Sequence, residues 1–383
     1  MQPIVHALLS KGVRIPCPEA VSFDNIDPGR IARDVTLYPG THLCGAETYI
    51  GEGCIIGQGG GAYVENCQIG RRCVLMQGNY RDATIFDGVE ARQGAELREA
   101  CLLEEGVSLG HTVGLKQTVL MTHVVAGSLI DFCDALMAGG RSRREHSEIG
   151  SCMALYNFTP QGDKFASYFG DVVRGVFLNG DPIFIGGQTQ IVSPVHIGFG
   201  TVVAAGTKLA HDVGDGMFVT GSAPLRERRN RLAIVHRADE KLRTTLGFLD
   251  QLYALRAWYT YVRQPALAPI PSYGVLVPSA IRRIDQMIAE RVRRLQKFAG
   301  RLMNTMEQTD ANVRASYVNA LSLLAGAFSS TNTYLRRPRV DMASLALIAD
   351  ALKGSVLRGM SYPDAVRALP DKLKNTGWVD VGD

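Results

Sequence analysis

The sequence lacks the features that mark several protein classes. No apolar run reaches the roughly 18 residues that a membrane-spanning helix needs. The opening stretch MQPIVHALLSKGVRIP is too short and too polar for a secretory signal. The net charge is only +4, which does not by itself indicate a nucleic-acid-binding surface. We therefore expect a cytoplasmic protein with neither a membrane nor a nucleic acid as partner.

Cysteine is present, but its spacing excludes a common type of site. None of the eight cysteines forms a CxxC pair, so a zinc or redox motif of that kind is not predicted. Cys54 in GEGCIIG, and Cys67 and Cys73 in NCQIGRRC, fall at small-residue positions of a repeat. We interpret them as small buried apolar residues and expect no metal cofactor.

Glycine is abundant, and aliphatic residues recur with a fixed period. The chain has 41 glycines among 383 residues, most of them before residue 225, which predicts many tight corners. Aliphatic side chains return every six residues in two unbroken registers. These registers are Ile85, Ala91, Leu97, Leu103, Leu109 and Leu115, and then Ile185, Ile191, Ile197, Val203 and Leu209.

A period of six fits neither an α-helix nor a simple β-strand. It is typical of a triangular coil in which each side is a short strand with one aliphatic residue facing the axis. Each corner of such a coil favours Gly, Asn or Asp. Stacked coils turn each side into a parallel sheet. We therefore predict an all-β parallel left-handed β-helix of hexapeptide repeats, followed by an α-helical C-terminal domain.

The pattern divides the chain into three parts. Residues 1–30 are predicted to cap the open end of the β-helix, residues 31–222 to form it, and residues 223–383 to be α-helical. After Pro224 glycine becomes rare and helical spacing replaces the period of six. Predicted helices cover 226–263, 279–307 and 310–335, with a proline-rich connector at 264–278.

Three segments interrupt the repeat. They are the glycine-rich 58–64, the basic segment 138–148 and the irregular 157–182. Segments that leave a rigid solenoid often carry function, so we expect binding residues near them. The arginine-dense stretches 226–231 and 291–298 are interpreted as a solvated or intersubunit face, with an anionic partner as the alternative.

Residues 92–224 resemble a known family. The resemblance lies in RQGAEL (92–97), GHTVGLKQT (110–118), EIGSCMALYNFTPQGDKF (148–165) and FIGGQTQIVSPVHIGFGTVVAAGTKLAHDVG (184–214). These segments are similar to the acetyltransferase domain of the bifunctional N-acetylglucosamine-1-phosphate uridyltransferase and glucosamine-1-phosphate acetyltransferase family. No segment resembles the uridyltransferase half. The layout also resembles UDP-N-acetylglucosamine pyrophosphorylase-related proteins without that half, although no residue supports their reaction.

The resemblance implies a homotrimer with binding sites in the clefts between subunits. Arg92 and Lys116 match the family's sugar-phosphate cations, and we expect them on adjacent coils, close enough to clamp one anion. Asn157 and Lys164 match polar residues of a loop that reaches a neighbouring subunit.

The resemblance also implies where acetyl-CoA would lie. Ala204 and Ala205 match small residues against which the family's coenzyme A arm lies. Gly187 stands where the family has a serine near the acetyl-transfer region.

The proton-transfer residues depart from the family pattern. The family's general base is a histidine, and Ser128 stands at its position. A serine hydroxyl cannot accept a proton from an ammonium group near neutral pH. Two neighbouring tyrosines of the family are replaced by Asp131 and Phe158. The catalytic residue is therefore unassigned, with His146 and His123 as weak candidates for a replacement base.

Two hypotheses follow for the function. The first is an acyltransferase-like protein that binds a phosphosugar or a nucleotide sugar such as UDP-N-acetylglucosamine, with acetyl-CoA as cofactor. If active, it would acetylate the amine of an amino-sugar phosphate. The alternative is a non-catalytic sugar-nucleotide-binding or assembly protein that kept the phosphate site and lost the base.

Overall fold

The computed structural model describes residues 3–157, 165–221, 234–329 and 333–381. Its main element is a parallel left-handed β-helix of about 11 turns, which confirms the predicted fold. The strands of this β-helix form one 24-stranded sheet, wound into coils. In chain order they are Ser22–Asp24 (β1), Thr36–Leu37 (β2), His42–Cys44 (β3), Tyr49–Ile50 (β4), Ile55–Glu65 (β5), Gln68–Ile69 (β6), Val74–Arg81 (β7), Ala83–Ile85 (β8), Glu90–Ala91 (β9), Ala95–Leu97 (β10), Cys101–Leu103 (β11), Ser108–Leu109 (β12), Val113–Leu120 (β13), Val125–Ala126 (β14), Ile130–Met137 (β15), Glu148–Ile149 (β16), Ala154–Tyr156 (β17), Ser167–Phe169 (β18), Phe184–Ile185 (β19), Gln190–Val192 (β20), His196–Ile197 (β21), Val202–Val203 (β22), Lys208–Leu209 (β23) and Phe218–Val219 (β24).

Parallel pairing between coils produces three faces. Face A contains β2, β9, β12, β14, β16, β19, β22, β24 and the first residues of β5 and β7. Face B contains β1, β3, β10, β17, β20, β23, the last residues of β5 and β7, and the first residues of β13 and β15. Face C contains β4, β6, β8, β11, β18, β21 and the last residues of β13 and β15. Corner AB, corner BC and corner CA are the turns between them, each named in the direction of the chain.

The aliphatic residues of the period-six pattern form the core of the β-helix. All eleven are fully buried, at 0% exposure for ten of them and 1% for Leu209. Burying one such side chain contributes about 1.5–3 kcal/mol. The pattern therefore identified both the fold and the side chains that stabilise it.

The three predicted interruptions have different structures. Residues 58–64 lie within β5 as an irregularity, with register shifts between Ile56 and Gln58 and between Gln58 and Ala62. Residues 138–147 connect β15 to β16 at corner CA. The segment 157–182 contains β18 and a short helix, Val172–Gly175 (α2), in its described part.

The N-terminal residues form a short helix and join the first coils through a backbone bridge. Helix Pro3–Ser10 (α1) buries Val5 and Leu8, and Arg14 forms a parallel bridge with Thr36. The sheet already begins at β1, earlier than the sequence pattern indicated.

The C-terminal region follows the last coil and is mainly helical. It also contains one short antiparallel pair of strands, Arg339–Val340 (β25) and Val379–Asp380 (β26). No helix in the described ranges has the length and apolar character needed to cross a bilayer. The main helices are Ala238–Trp258 (α3), Gln264–Leu267 (α4), Tyr273–Thr305 (α5), Ala311–Ala327 (α6), Met342–Leu357 (α7), Tyr362–Arg367 (α8) and Asp371–Lys374 (α9), with a π-helical turn at Tyr259–Arg263.

The predicted connector over 264–278 is not helical throughout, as expected, but its non-helical part is limited to residues 268–272. Helix α4 occupies its start, and α5 begins at Tyr273 and includes Pro278. A proline inside a helix removes one backbone hydrogen bond. Here the burial of Tyr273, Leu276 and Val277 outweighs that loss, because tertiary packing overrides local propensity.

The helical region packs on face C. Helix α5 contacts β6, β8 and β11, and α3 contacts β18. The Ser279 hydroxyl lies 2.7 Å from the Thr84 hydroxyl and also bonds the side chain of Gln68. Arg291 donates to Asp134 at 2.6 Å with 2% of its side chain exposed. Faces A and B are thereby left as the main open faces of the described β-helix.

A buried ionic cluster fixes the helices at corner CA. The Arg263 guanidinium lies between Glu104, at 3.1 Å, and Glu105, with 0%, 5% and 5% of these side chains exposed. The Tyr259 hydroxyl donates to Glu104 at 2.7 Å. The backbone N–H and the hydroxyl of Thr122 both donate to the same carboxylate at 2.9 Å. Such a charge cluster is tolerated in a core because the guanidinium is paired with both carboxylates.

Candidate functional site at corner AB

The same three-residue turn recurs at corner AB on successive coils. The third residue of each turn has a positive φ between 56° and 78°, so the chain reverses in the same way each time. The turns are Arg92–Gly94, Gly110–Thr112, Gly127–Leu129, Gly150–Cys152, Gly186–Gln188 and Ala204–Gly206. Each position within the turn therefore forms a column along the β-helix.

Two of these columns contain most of the predicted site residues. The first-position column runs from Arg92 through four glycines to Ala204, and the central column is Gln93, His111, Ser128, Ser151, Gly187 and Ala205. Neighbouring coils are spaced by about 4.8 Å. The structure thus brings Arg92, Ser128, Gly187, Ala204 and Ala205 to one edge of the β-helix, although they are spread over more than a hundred residues of sequence.

The Arg92 guanidinium is available to a ligand. Its side chain is 63% exposed, and its ion pair with Glu90 spans 4.0 Å, at the limit for such a contact. Glu90 is also 3.7 Å from Arg143. An exposed and weakly paired guanidinium can reorganise around a phosphate at little cost.

Lys116 is placed differently from the expectation. It lies on the next coil, but β13 pairs Leu115 with Leu97, so Lys116 lies opposite Arg98, six residues beyond Arg92. Six residues of strand span up to about 20 Å. Lys116 also binds Glu99 at 2.5 Å. Within one chain, Arg92 and Lys116 lie at opposite ends of face B and do not form one clamp.

The other two predicted substrate residues lie at or beyond the end of β17. Asn157 directly follows this strand on face B and is partly buried. Lys164 lies outside the described residues, as does Phe158.

The two candidate replacement bases lie away from Ser128, at corner CA. The Nδ1–H of His146 donates to the Arg143 carbonyl at 2.9 Å, and its Nε2 lies 3.6 Å from the Glu148 carboxylate. His123 is 8% exposed, and neither of its ring nitrogens has a hydrogen-bond partner among the described residues. Burial, together with Arg367 and Arg143, lowers the pKa of His123 to about 4.

Ser128 itself is held by the turns on either side. Its hydroxyl accepts the His111 backbone N–H at 3.2 Å, and its own N–H donates to the Ser151 hydroxyl at 3.0 Å. His111 was not selected as a site residue from the sequence. The signal was present, because His111 follows Leu109 by two residues as Ser128 follows Ala126 in the next coil.

Comparisons with known proteins find similar sequences over more than half of the chain. The bifunctional protein GlmU of Geotalea uraniireducens is 30% identical over 223 residues, which are 58% of this chain and 44% of that protein. GlmU of Pelobacter propionicus is 30% identical over 219 residues, 57% and 43% of the two chains. GlmU of Burkholderia multivorans is 29% identical over 226 residues, 56% and 43%.

The similarity is partial on both sides. The chain spans less than half the length of these curated relatives. A scan of protein-family profiles finds no match. Homology and the parallel β-helix together show that this chain is similar to the C-terminal acetyltransferase region of the bifunctional GlmU proteins.

Proposed function

We propose that this chain is a cytoplasmic, trimeric, hexapeptide-repeat acyltransferase-like protein that binds a phosphosugar or a nucleotide sugar at corner AB. The observation that carries the proposal is the alignment of Arg92, Ser128, Gly187, Ala204 and Ala205 along that corner. A cation at one end of a column of small residues fits an anionic sugar next to an extended acyl carrier.

Arg92 binds the phosphate in this proposal. A phosphate monoester carries up to two negative charges, and a planar guanidinium donates to it through two parallel N–H groups. Because Lys116 lies at the far end of face B, we propose that it meets the phosphate bound to Arg92 of a neighbouring subunit. Asn157 and Lys164 would reach the same intersubunit cleft.

Coenzyme A would lie along the later turns of corner AB. Gly187, Ala204 and Ala205 present little side chain there, and a Cβ added at Gly206 would meet no atom within 4 Å, so the surface is open to a pantetheine arm. The exposed Lys208 follows on face B and supplies a cation for the carrier's phosphates. Acetyl-CoA supplies the activated thioester, and these residues position it.

Ser128 favours a second candidate function. The residue at this position cannot remove a proton from an ammonium group. A protein that binds sugar nucleotides or scaffolds an assembly needs no base. Native mass spectrometry after mild purification, combined with a thiol-release assay, separates the two. Acetyl-CoA turnover supports the transferase, and a retained nucleotide sugar without turnover supports the binding protein.

Replacing Arg92 should weaken sugar-phosphate binding. We expect Arg92→Ala to reduce the binding free energy of glucosamine-1-phosphate by about 1.5–3 kcal/mol, the range for charge-assisted hydrogen bonds. Isothermal titration calorimetry measures this loss. Arg33→Ala is the matched control, because Arg33 is 70% exposed and pairs with Glu52 away from corner AB. Equal affinities of Arg92→Ala and the parent would remove the phosphate from this corner.

We expect three chains to associate, with face A of each chain packed against face B of a neighbouring chain. Face A ends in an apolar strip of Phe184, Val202 and Phe218, and the two phenylalanines are 40% and 69% exposed. Burying such a strip against a neighbour favours association. Light scattering should give three times the chain mass of 41.6 kDa.

A charge on this strip should weaken the trimer. We expect Phe184→Asp to shift the mass toward that of a monomer, whereas Leu347→Asp, at a 60% exposed position of α7, leaves it unchanged. A parent protein that stays monomeric at micromolar concentration contradicts the proposed intersubunit site.

A further inference from the structure

His111 lies at the centre of corner AB, between the coil of Arg92 and the coil of Ser128. Register pairs it with Gln93 on one side and Ser128 on the other. Its backbone N–H donates to the Ser128 hydroxyl at 3.2 Å, and its carbonyl accepts the Leu129 N–H at 2.9 Å. These bonds hold the turn in place. They therefore fix the point at which the His111 side chain leaves the backbone.

The imidazole of His111 is exposed and uncommitted. Within the described part of the chain, no side-chain hydrogen bond or ion pair engages it. His123 and His146 lie at corner CA instead, the first buried and the second beside Glu148. His196 is stacked on Tyr168 at 4.3 Å. His111 is thus the histidine that the described structure places next to Arg92, on the adjacent coil.

We infer that His111 is the general base for acyl transfer at corner AB. This inference rests on the proposed function, because it requires an acceptor held by Arg92 and an acetyl thioester along the later turns. An imidazole is the side chain best suited to take up a proton near neutral pH.

The reaction balances with the groups already named. An unprotonated ring nitrogen of His111 takes a proton from the acceptor's amine. The amine nitrogen attacks the acetyl carbonyl carbon, an amide bond forms, and the C–S bond of the thioester breaks. Coenzyme A leaves as the thiolate and takes up a proton, so each turnover yields one amide and one free thiol.

The position of His111 also constrains the acceptor. A base at residue 111 lies one coil, about 4.8 Å, nearer to Arg92 than a base at residue 128 would lie. The reacting amine must therefore lie correspondingly closer to the coil of Arg92. The preferred acceptor is an amino-sugar phosphate or nucleotide-linked amino sugar that places its amine there.

Kinetics of a single replacement test this assignment. Thiol release from acetyl-CoA is measured with glucosamine-1-phosphate, glucosamine-6-phosphate and UDP-glucosamine on the parent, His111→Gln and the control His211→Gln. His211 is exposed and follows β23 on the far side of face B from corner AB. With the best acceptor, we expect His111→Gln to lower the rate 10²–10⁴-fold, the range for a positioned general base.

A catalytic role should leave substrate binding intact. Calorimetry should show the same affinity of His111→Gln for the best acceptor within about twofold. Diethyl pyrocarbonate provides a readout independent of turnover. It should modify His111 in the free protein, as located by peptide mass spectrometry, and the bound acceptor should protect it in the parent but not in Arg92→Ala.

The possible outcomes distinguish the assignment of His111 as general base from the proposed acyltransferase function. If the parent turns over an acceptor and His111→Gln keeps that rate, or if the acceptor binds without protecting His111, the assignment of His111 is overturned while the transferase stands. If the parent releases no thiol with any acceptor, both are overturned, and the non-catalytic binding function replaces them.

Discussion

Arg263→Ala should destabilise the protein by about 3–5 kcal/mol, the cost of leaving a buried charge without its partner. The replacement leaves Glu104 and Glu105 facing each other in a site with at most 5% side-chain exposure. Burial raises the pKa of Glu105 to about 7, with Arg263 opposing that rise. Removal of the guanidinium therefore takes away the group that makes a buried carboxylate tolerable.

Urea unfolding followed by tryptophan fluorescence measures this loss. Both tryptophans of the chain, Trp258 and Trp378, lie in the helical region, and Trp258 bonds to Tyr362, whose ring lies 3.9 Å below the Arg263 guanidinium. The signal therefore reports on the part of the protein that the cluster fixes to the β-helix.

Two variants control this experiment. Arg256→Ala breaks an ion pair with Asp285 that is 42% and 46% exposed, and it should cost no more than about 1 kcal/mol. Arg263→Met combined with Glu104→Gln and Glu105→Gln removes all three charges and should recover most of the lost stability. Equal losses in Arg263→Ala and Arg256→Ala would show that the buried cluster does not hold the helices.

Glucosamine-1-phosphate should be acetylated slowly by the natural sequence. An amine seated beside Ser128 lies one coil, about 4.8 Å, away from His111, and a well-placed general base contributes 10²–10⁴-fold. We expect a thiol-release rate lower by that factor than with the best acceptor. Ser128→His should not restore the rate, because Asp131 and Phe158 also depart from the family pattern.

A measurement of substrate binding is the control for this prediction. Calorimetry should still detect glucosamine-1-phosphate on the parent and on Ser128→His, which shows that slow turnover is not a loss of affinity. A rapid rate in the parent that His111→Gln leaves unchanged contradicts the interpretation of Ser128 as a lost base. A large gain in Ser128→His contradicts the role given to Asp131 and Phe158.

The β-helix could be predicted from sequence because the residues that define it recur within a short stretch of chain. Each coil needs one aliphatic residue per side, so Leu97, Leu103 and Leu109 identify three successive sides without knowledge of distant contacts. The same register places Arg92 and Ser128 at one corner, although both residues were selected by resemblance to the family and not by the repeat.

Contacts between distant parts of the chain carry no such local signal. Arg263 pairs with Glu104 across 159 positions of sequence, and nothing in the period-six pattern marks either residue. The helical start at Tyr273 was missed for the same reason, because packing rather than propensity determines it. His146 and His123 were preferred to His111 as replacement bases, although the pairing of β12 with β14 places His111, and neither of the other two, at the corner of Ser128.

The most direct test of the proposed site is a crystal structure of the protein with acetyl-CoA and glucosamine-1-phosphate. We expect a phosphate on Arg92 and a pantetheine arm along Gly187, Ala204 and Ala205, with both ligands in a cleft between subunits. Ligands bound elsewhere, for example in the roughly 350 Å³ groove lined by Tyr253 and Arg337, with corner AB left bare, would contradict it.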